Sequence, residues 1–126
     1  MGEIITLKGK IKSASEISEE KRDLYWKEGQ MVLKKSRGER SRNYYSVPLR
    51  IEERNGEKVE NQFDSIMLTF WEEDFINNDQ VWQAIANLKE NQTITVSGEV
   101  GGRDDGLLRV KELSEEENGD DGDVFI

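Results

Sequence analysis

The chain has 126 residues, with 18 Lys and Arg against 27 Asp and Glu, no His, no Cys and one Pro, which fits one small domain with a single core. Without Cys there is no disulfide framework, thiol nucleophile or Cys-bound zinc, and without His the commonest general base and metal ligand are missing, so an enzyme is not expected and no cofactor is implied. No apolar run nears the ~20 residues of a membrane span, and Met1-Gly2-Glu3-Ile4 lacks the basic head and apolar stretch of a signal peptide, so a cytoplasmic protein with no membrane partner is expected.

Ile4 to Lys12 alternates, with Ile5, Leu7 and Ile11 on one face and Thr6, Lys8, Lys10 and Lys12 on the other, the period of a half-buried strand. Gly9 interrupts the apolar face, as a bend or bulge in a strand serving two sheets requires. Ser15 to Gly29 is polar with weak helical spacing and reads equally as a short helix or an ordered loop. Gln30 to Lys35 reads as a short strand, and Ser36 to Asn43 as a flexible basic loop around Gly38. Tyr44 to Glu53 alternates again, with Tyr45, Val47, Leu49 and Ile51 on one side; Pro48 argues against a central hydrogen-bonded position. Asn55-Gly56 is the strongest hairpin signal in the chain and joins this strand to Val59–Trp71.

In that next strand Ile66, Leu68 and Phe70 share a face, so Phe63, Ser65, Met67, Thr69 and Trp71 point the other way. The period then turns helical, with Asn78 as N-cap, Val81, Ile85 and Leu88 as the apolar stripe and Asn91 as the stop. Trp82, beside that stripe, is read as core. Gln92 to Val100 and Leu107 to Leu113 are two further strands around a glycine-rich turn. The order predicts an all-β, five-stranded OB-fold, a Greek-key barrel with one helix between its third and fourth strands. A mixed α+β sheet with one helix is the alternative. Residues 1–113 form the predicted barrel domain. Residues 114–126, acidic and without period, are expected to be a disordered tail.

The formal charge is −9, but six of the acids lie in Ser114 to Ile126, which has no base. Lys34 to Arg50 carries six bases, Lys34, Lys35, Arg37, Arg40, Arg42 and Arg50, against one acid. Such a cluster makes a local positive field whatever the net charge. Adjacent acids such as Glu72-Glu73-Asp74 do not converge on a metal as carboxylates from separate elements would, so no metal site is expected.

From Ile4 to Leu113 the architecture resembles the single-stranded-DNA-binding proteins, in particular the small versions carried by bacteriophages of Gram-positive hosts. DSIMLTFWEEDF, a helix and QTITVSGEV are similar to the third strand, helix and fourth strand of the bacterial proteins. The chain's end, DDGDVFI, is similar to the acidic tail with an apolar tip by which those proteins dock on replication and recombination partners. The resemblance gives Asp120, Asp121, Asp123, Val124 and Phe125 that role, with Ile126 following and no proline present. It also implies a dimer or tetramer.

Single strands bind without sequence preference when bases stack on flat side chains and a basic groove follows the phosphates. The candidates for stacking are Trp71, Phe63 and Tyr44, with Trp26 in the unassigned segment. The candidates for phosphate neutralisation are Lys8, Lys10 and Lys12 on the first strand, Arg50, and the loop residues Lys34, Lys35, Arg37, Arg40 and Arg42. A protein-binding module on the same barrel and an RNA-binding barrel are the competing readings.

Overall fold

A computed structural model describes residues 3–38, 41–61, 64–102 and 106–115. Its long strands are β1 (Ile4–Ile11), β2 (Asn43–Arg54), β3 (Ser65–Trp71), β4 (Thr93–Gly101) and β5 (Leu107–Glu115), with helix α1 (Asp79–Ala86) between β3 and β4. β1 pairs antiparallel with both β2 and β4, β2 with β3, and β4 with β5, while β3 and β5 run parallel. The pairing returns on itself in the order β1-β2-β3-β5-β4-β1. This is the closed Greek-key barrel of the OB-fold, with the helix where the element order predicts it. Closure excludes the open mixed sheet, because β1 is bonded along both sides and leaves no edge.

Alternation decides what faces inward. Leu7 and Ile11 of β1, Val47 and Leu49 of β2, Leu68 and Phe70 of β3, Ile94 and Val96 of β4, and Leu108 and Val110 of β5 are all buried. β1 reaches both neighbours by shifting register between Lys8 and Gly9, the bend expected there. A Cβ at Gly9 would stand 2.0 Å from the carbonyl oxygen of Arg50, so only glycine lets the two backbones meet. Gly98 plays the same part against the Arg109 carbonyl oxygen, also at 2.0 Å.

Pro48 does lie within a strand bonded on both sides, contrary to expectation. It is tolerated because its carbonyl faces β1, where it accepts from the Lys12 N–H beyond the end of that strand. Its missing donor therefore falls where the ladder has already stopped.

Asn55 and Gly56 take φ of 52° and 86° and form the expected turn. The strand that follows is only Glu57–Lys58, and β3 starts at Ser65 rather than near Val59. The segment between β1 and β2 is more structured than its sequence implies. A 3-10 turn at Ala14–Glu16 leads to one helical turn, Arg22–Tyr25, and a two-strand ribbon of Trp26–Lys27 and Gln30–Met31. Lys34–Lys35 then pairs with the start of β2, so the basic loop is the tip of a hairpin and Gln30 to Lys35 is two short strands instead of one.

Asn78 caps α1 through a bond from the Val81 N–H, and Ile85 and Leu88 are buried. Trp82 is half-buried and packs on Tyr45 and Phe75, with ring centres 5.3 and 6.2 Å away. The helix ends at Ala86, ahead of the expected stop. Asn91, at φ 66°, instead turns the chain into β4 and donates its N–H to the Ile11 carbonyl. β5 runs to Glu115, with Ser114 and Glu115 opposite Thr95 and Ile94. Among the described residues no helix is long and apolar enough to cross a membrane.

Candidate nucleic-acid interface

Tyr44 and Trp71 are directly opposed across β2 and β3, one residue away from the inward-facing Tyr45 and Phe70. The pleat therefore sends both rings to the outer surface of the barrel. There they stack on each other with centres 4.4 Å apart and planes 25° from parallel, half-buried by this contact. Two cations border the pair. Arg109, opposite Thr69 in β5, holds its guanidinium 5.6 Å from the centre of the Trp71 ring. Lys34, opposite Tyr44, bonds Ser46 Oγ at 2.8 Å and sits 4.5 Å over the Tyr25 ring. Burial lowers the pKa of Lys34 from its ordinary value.

β3 passes straight into a 3-10 turn, Glu72–Phe75, which sets three acids at the rim of the pair. Glu72 accepts from the Asn43 amide. Glu73 accepts from Arg42 at 3.2 Å and from Arg109 at 2.7 Å with the same oxygen. Asp74 takes Arg109 in a two-pronged contact at 2.8 and 3.1 Å and Lys111 at 3.1 Å, with its side chain only 10% exposed. Burial alone would raise the Asp74 carboxyl, but the bonds and charges of Arg109 and Lys111 outweigh it and hold the pKa below its ordinary value. The Asp74 hydrogen bond correspondingly raises that of Arg109 against burial, with Glu73 adding to it. Burial, reinforced by the Glu72 charge, raises the Tyr45 phenol.

The other proposed cations form a second group farther along the barrel. Lys10 stands opposite Arg50, and Lys8 opposite Glu53 with an ion pair at 3.9 Å. Arg50 is also paired with Glu16. Arg50 is six residues along β2 from Tyr44, a separation of about 20 Å at strand rise. A cavity of about 420 Å³ opens at this end, lined in part by Arg50, Glu53 and Lys58. Lys12 is half-buried past the end of β1. Among the described residues Lys10, Lys35 and Arg37 are exposed and form no ion pair. Arg40, Phe63 and the tail residues Asp120, Asp121, Asp123, Val124, Phe125 and Ile126 lie outside the described residues.

Trp26 does not join this surface. It is 3% exposed, packs in the core cluster that includes Ile17 and Met31, and donates its indole N–H to the Lys12 carbonyl at 2.9 Å. The ribbon carrying it folds back on the end of β1, and a Trp whose only polar atom finds a backbone acceptor is suited to burial. Conversely, Arg109 borders the pair directly, and Lys111 and Tyr25 stand one contact farther out, on Asp74 and under Lys34; none of the three is among the site residues expected from the sequence. Alternation about the inward Leu108 and Val110 does signal that Arg109 points outward; its place beside Trp71 follows only from the parallel pairing of β3 with β5. Among the described residues no group of acids is placed to hold a metal ion.

The fold and this surface define an OB barrel with a stacked aromatic pair on its outer face and a rim of arginine and lysine paired with acids. No protein-family model and no curated protein matches the chain. Among solved structures it is similar to one described as the dimeric structure of the N-terminal domain of PriB protein from Thermoanaerobacter tencongensis, at 13% sequence identity and a TM-score of 0.49, over 91% of this chain and 97% of that one. The fold stands on this chain's own strand pairing.

Proposed function

We propose that this protein binds single-stranded DNA without sequence preference, with bases stacking on the Tyr44–Trp71 pair and phosphates neutralised by the surrounding Lys and Arg. The observation that carries the reading is the pair itself: two large rings held outside a barrel whose interior is filled without them. They lie on the outer face of the second and third strands, the surface with which OB-folds commonly take oligonucleotides. Each base stacked on an aromatic contributes about 1–3 kcal/mol. Lys10, Lys12, Lys35, Arg37, Arg42 and Arg50 supply cations along the strand, and Arg40 and Phe63 extend the same roles.

The acidic segment with Asp120, Asp121 and Asp123 and the apolar Val124-Phe125-Ile126 competes with DNA for the cations, and it recruits replication or recombination proteins as the tail of the bacterial proteins it resembles does. Titration of the intrinsic Trp fluorescence with poly-dT, poly-U and duplex DNA tests the proposal. Strong quenching by poly-dT, with log affinity falling against log salt at a slope of about −3 to −4 for four or five phosphates, is expected. Equal quenching by poly-U transfers the reading to RNA. No response to any of the three refutes it in favour of a protein partner.

A further inference from the structure

We infer that Arg42 and Arg109 form a phosphodiester seat at the rim of the Tyr44–Trp71 pair, and that the Glu73 carboxylate occupies this seat until a bound strand displaces it. The inference rests on the nucleic-acid reading above and names one phosphate site within it. Glu73 is the member of the acidic turn that bridges the two arginines, one from the basic hairpin and one from β5. Arg109 does not depend on Glu73 for its position. Its Nε and one terminal nitrogen are held by Asp74, whose side chain is 10% exposed, while the Glu73 side chain is 38% exposed. Releasing Glu73 thus leaves the Arg109 guanidinium oriented beside the Trp71 ring, with donors still unspent. Arg42, 50% exposed, is free to turn toward a new acceptor.

A phosphodiester carries the same single negative charge as the carboxylate, whose one oxygen now serves both arginines, and it offers two terminal oxygens in the geometry that guanidinium groups bind well. The exchange is balanced in charge, and the contacts given up are exposed ion pairs, which are weak. A nucleotide whose base lies against Trp71 brings its own phosphate to this rim. The same contact disfavours occupation by neutral ligands, since a neutral group that displaced Glu73 would leave Arg42 and Arg109 without the anion they now share.

The test is binding of fluorescein-labelled oligo-dT at low salt to the full chain and to Glu73→Gln, Arg42→Ala and Glu57→Gln. Glu57 is exposed and sits on the hairpin opposite Arg54, so its loss changes net charge equally without touching the seat. Glu73→Gln is expected to tighten binding about fivefold, the combined worth of two weak, exposed ion pairs no longer to be broken, and Arg42→Ala to weaken it by a similar factor. Glu57→Gln stays near the unaltered chain, and the Glu73→Gln gain shrinks as salt rises. Binding by Glu73→Gln no tighter than that of the unaltered chain, an equal gain from Glu57→Gln, or unchanged affinity in Arg42→Ala overturns the seat while leaving the stacking reading intact. An unaltered chain that does not bind oligo-dT overturns both.

Discussion

Replacing Trp71 and Trp26 separately by Ala separates binding from stability, because the two indoles occupy opposite environments. Trp71 is half-buried, and what it loses in the free protein is its stack on Tyr44, about 0.5–1.5 kcal/mol, and its contact with Arg109, about 0.5–1 kcal/mol. Its removal costs roughly 1–2.5 kcal/mol of stability by these contacts and, for the strand, one stacked base at about 1–3 kcal/mol, a 5- to 150-fold loss of affinity. Trp26 is 3% exposed, so truncation leaves a cavity worth about 3–5 kcal/mol and strands the Lys12 carbonyl at about 1 kcal/mol more. Against a typical total of about 5–15 kcal/mol, that second loss removes much of the fold's margin. Urea denaturation followed by far-UV circular dichroism gives the stabilities, and anisotropy of labelled oligo-dT gives the affinities. Trp26→Phe serves where Trp26→Ala does not fold. The reasoning is refuted if Trp71→Ala binds as tightly as the unaltered chain, or if Trp26→Phe lowers affinity at little cost in stability.

Gly9→Ala should destabilise the barrel by several kcal/mol, measured by the same denaturation, since backbone stands 2.0 Å from the added carbon and cannot swing aside; a change below about 1 kcal/mol would show that the β1 bend relaxes. Asp74, its pKa lowered, contributes stability that is full above its ordinary value near 4 and fades as pH falls through the folded value. The stability gap between the unaltered chain and Asp74→Asn at pH ~7 should therefore narrow as pH falls below about 4, and a gap that does not narrow in acid would mean the carboxylate charge is not what Arg109 and Lys111 require. Deleting residues 116–126, which spares Ser114 and Glu115 in β5, should tighten oligo-dT binding at low salt and have little effect at high salt; no tightening would remove competition with DNA from the tail's roles.

Local pattern was enough to read much of the barrel. The alternation of Ile5-Leu7-Ile11 and Ile66-Leu68-Phe70, the positive φ demanded of Asn55-Gly56 and the glycine interrupting β1 are short-range features, since side chains in a strand change face every residue and turns are made by the residues within them. For the same reason Tyr44 and Trp71 could be assigned to the outer face before their partners were known. What composition and period could not reach was which segments meet. Burial of Trp26 depends on a ribbon between β1 and β2 folding back across the barrel, and its polar surroundings in sequence gave no sign of this.

Tertiary structure likewise decided the electrostatics. A run of six bases reads as free positive charge along the chain, yet Arg42 is met by Glu73, Arg50 by Glu16, and Lys34 is turned onto Ser46 and Tyr25. Arg109 reaches Trp71 only because β5 runs parallel to β3 and closes the ring. A charge acts over the few ångströms set by folding, so the count of bases belongs to the sequence, whereas their availability to a strand of DNA belongs to the closed barrel.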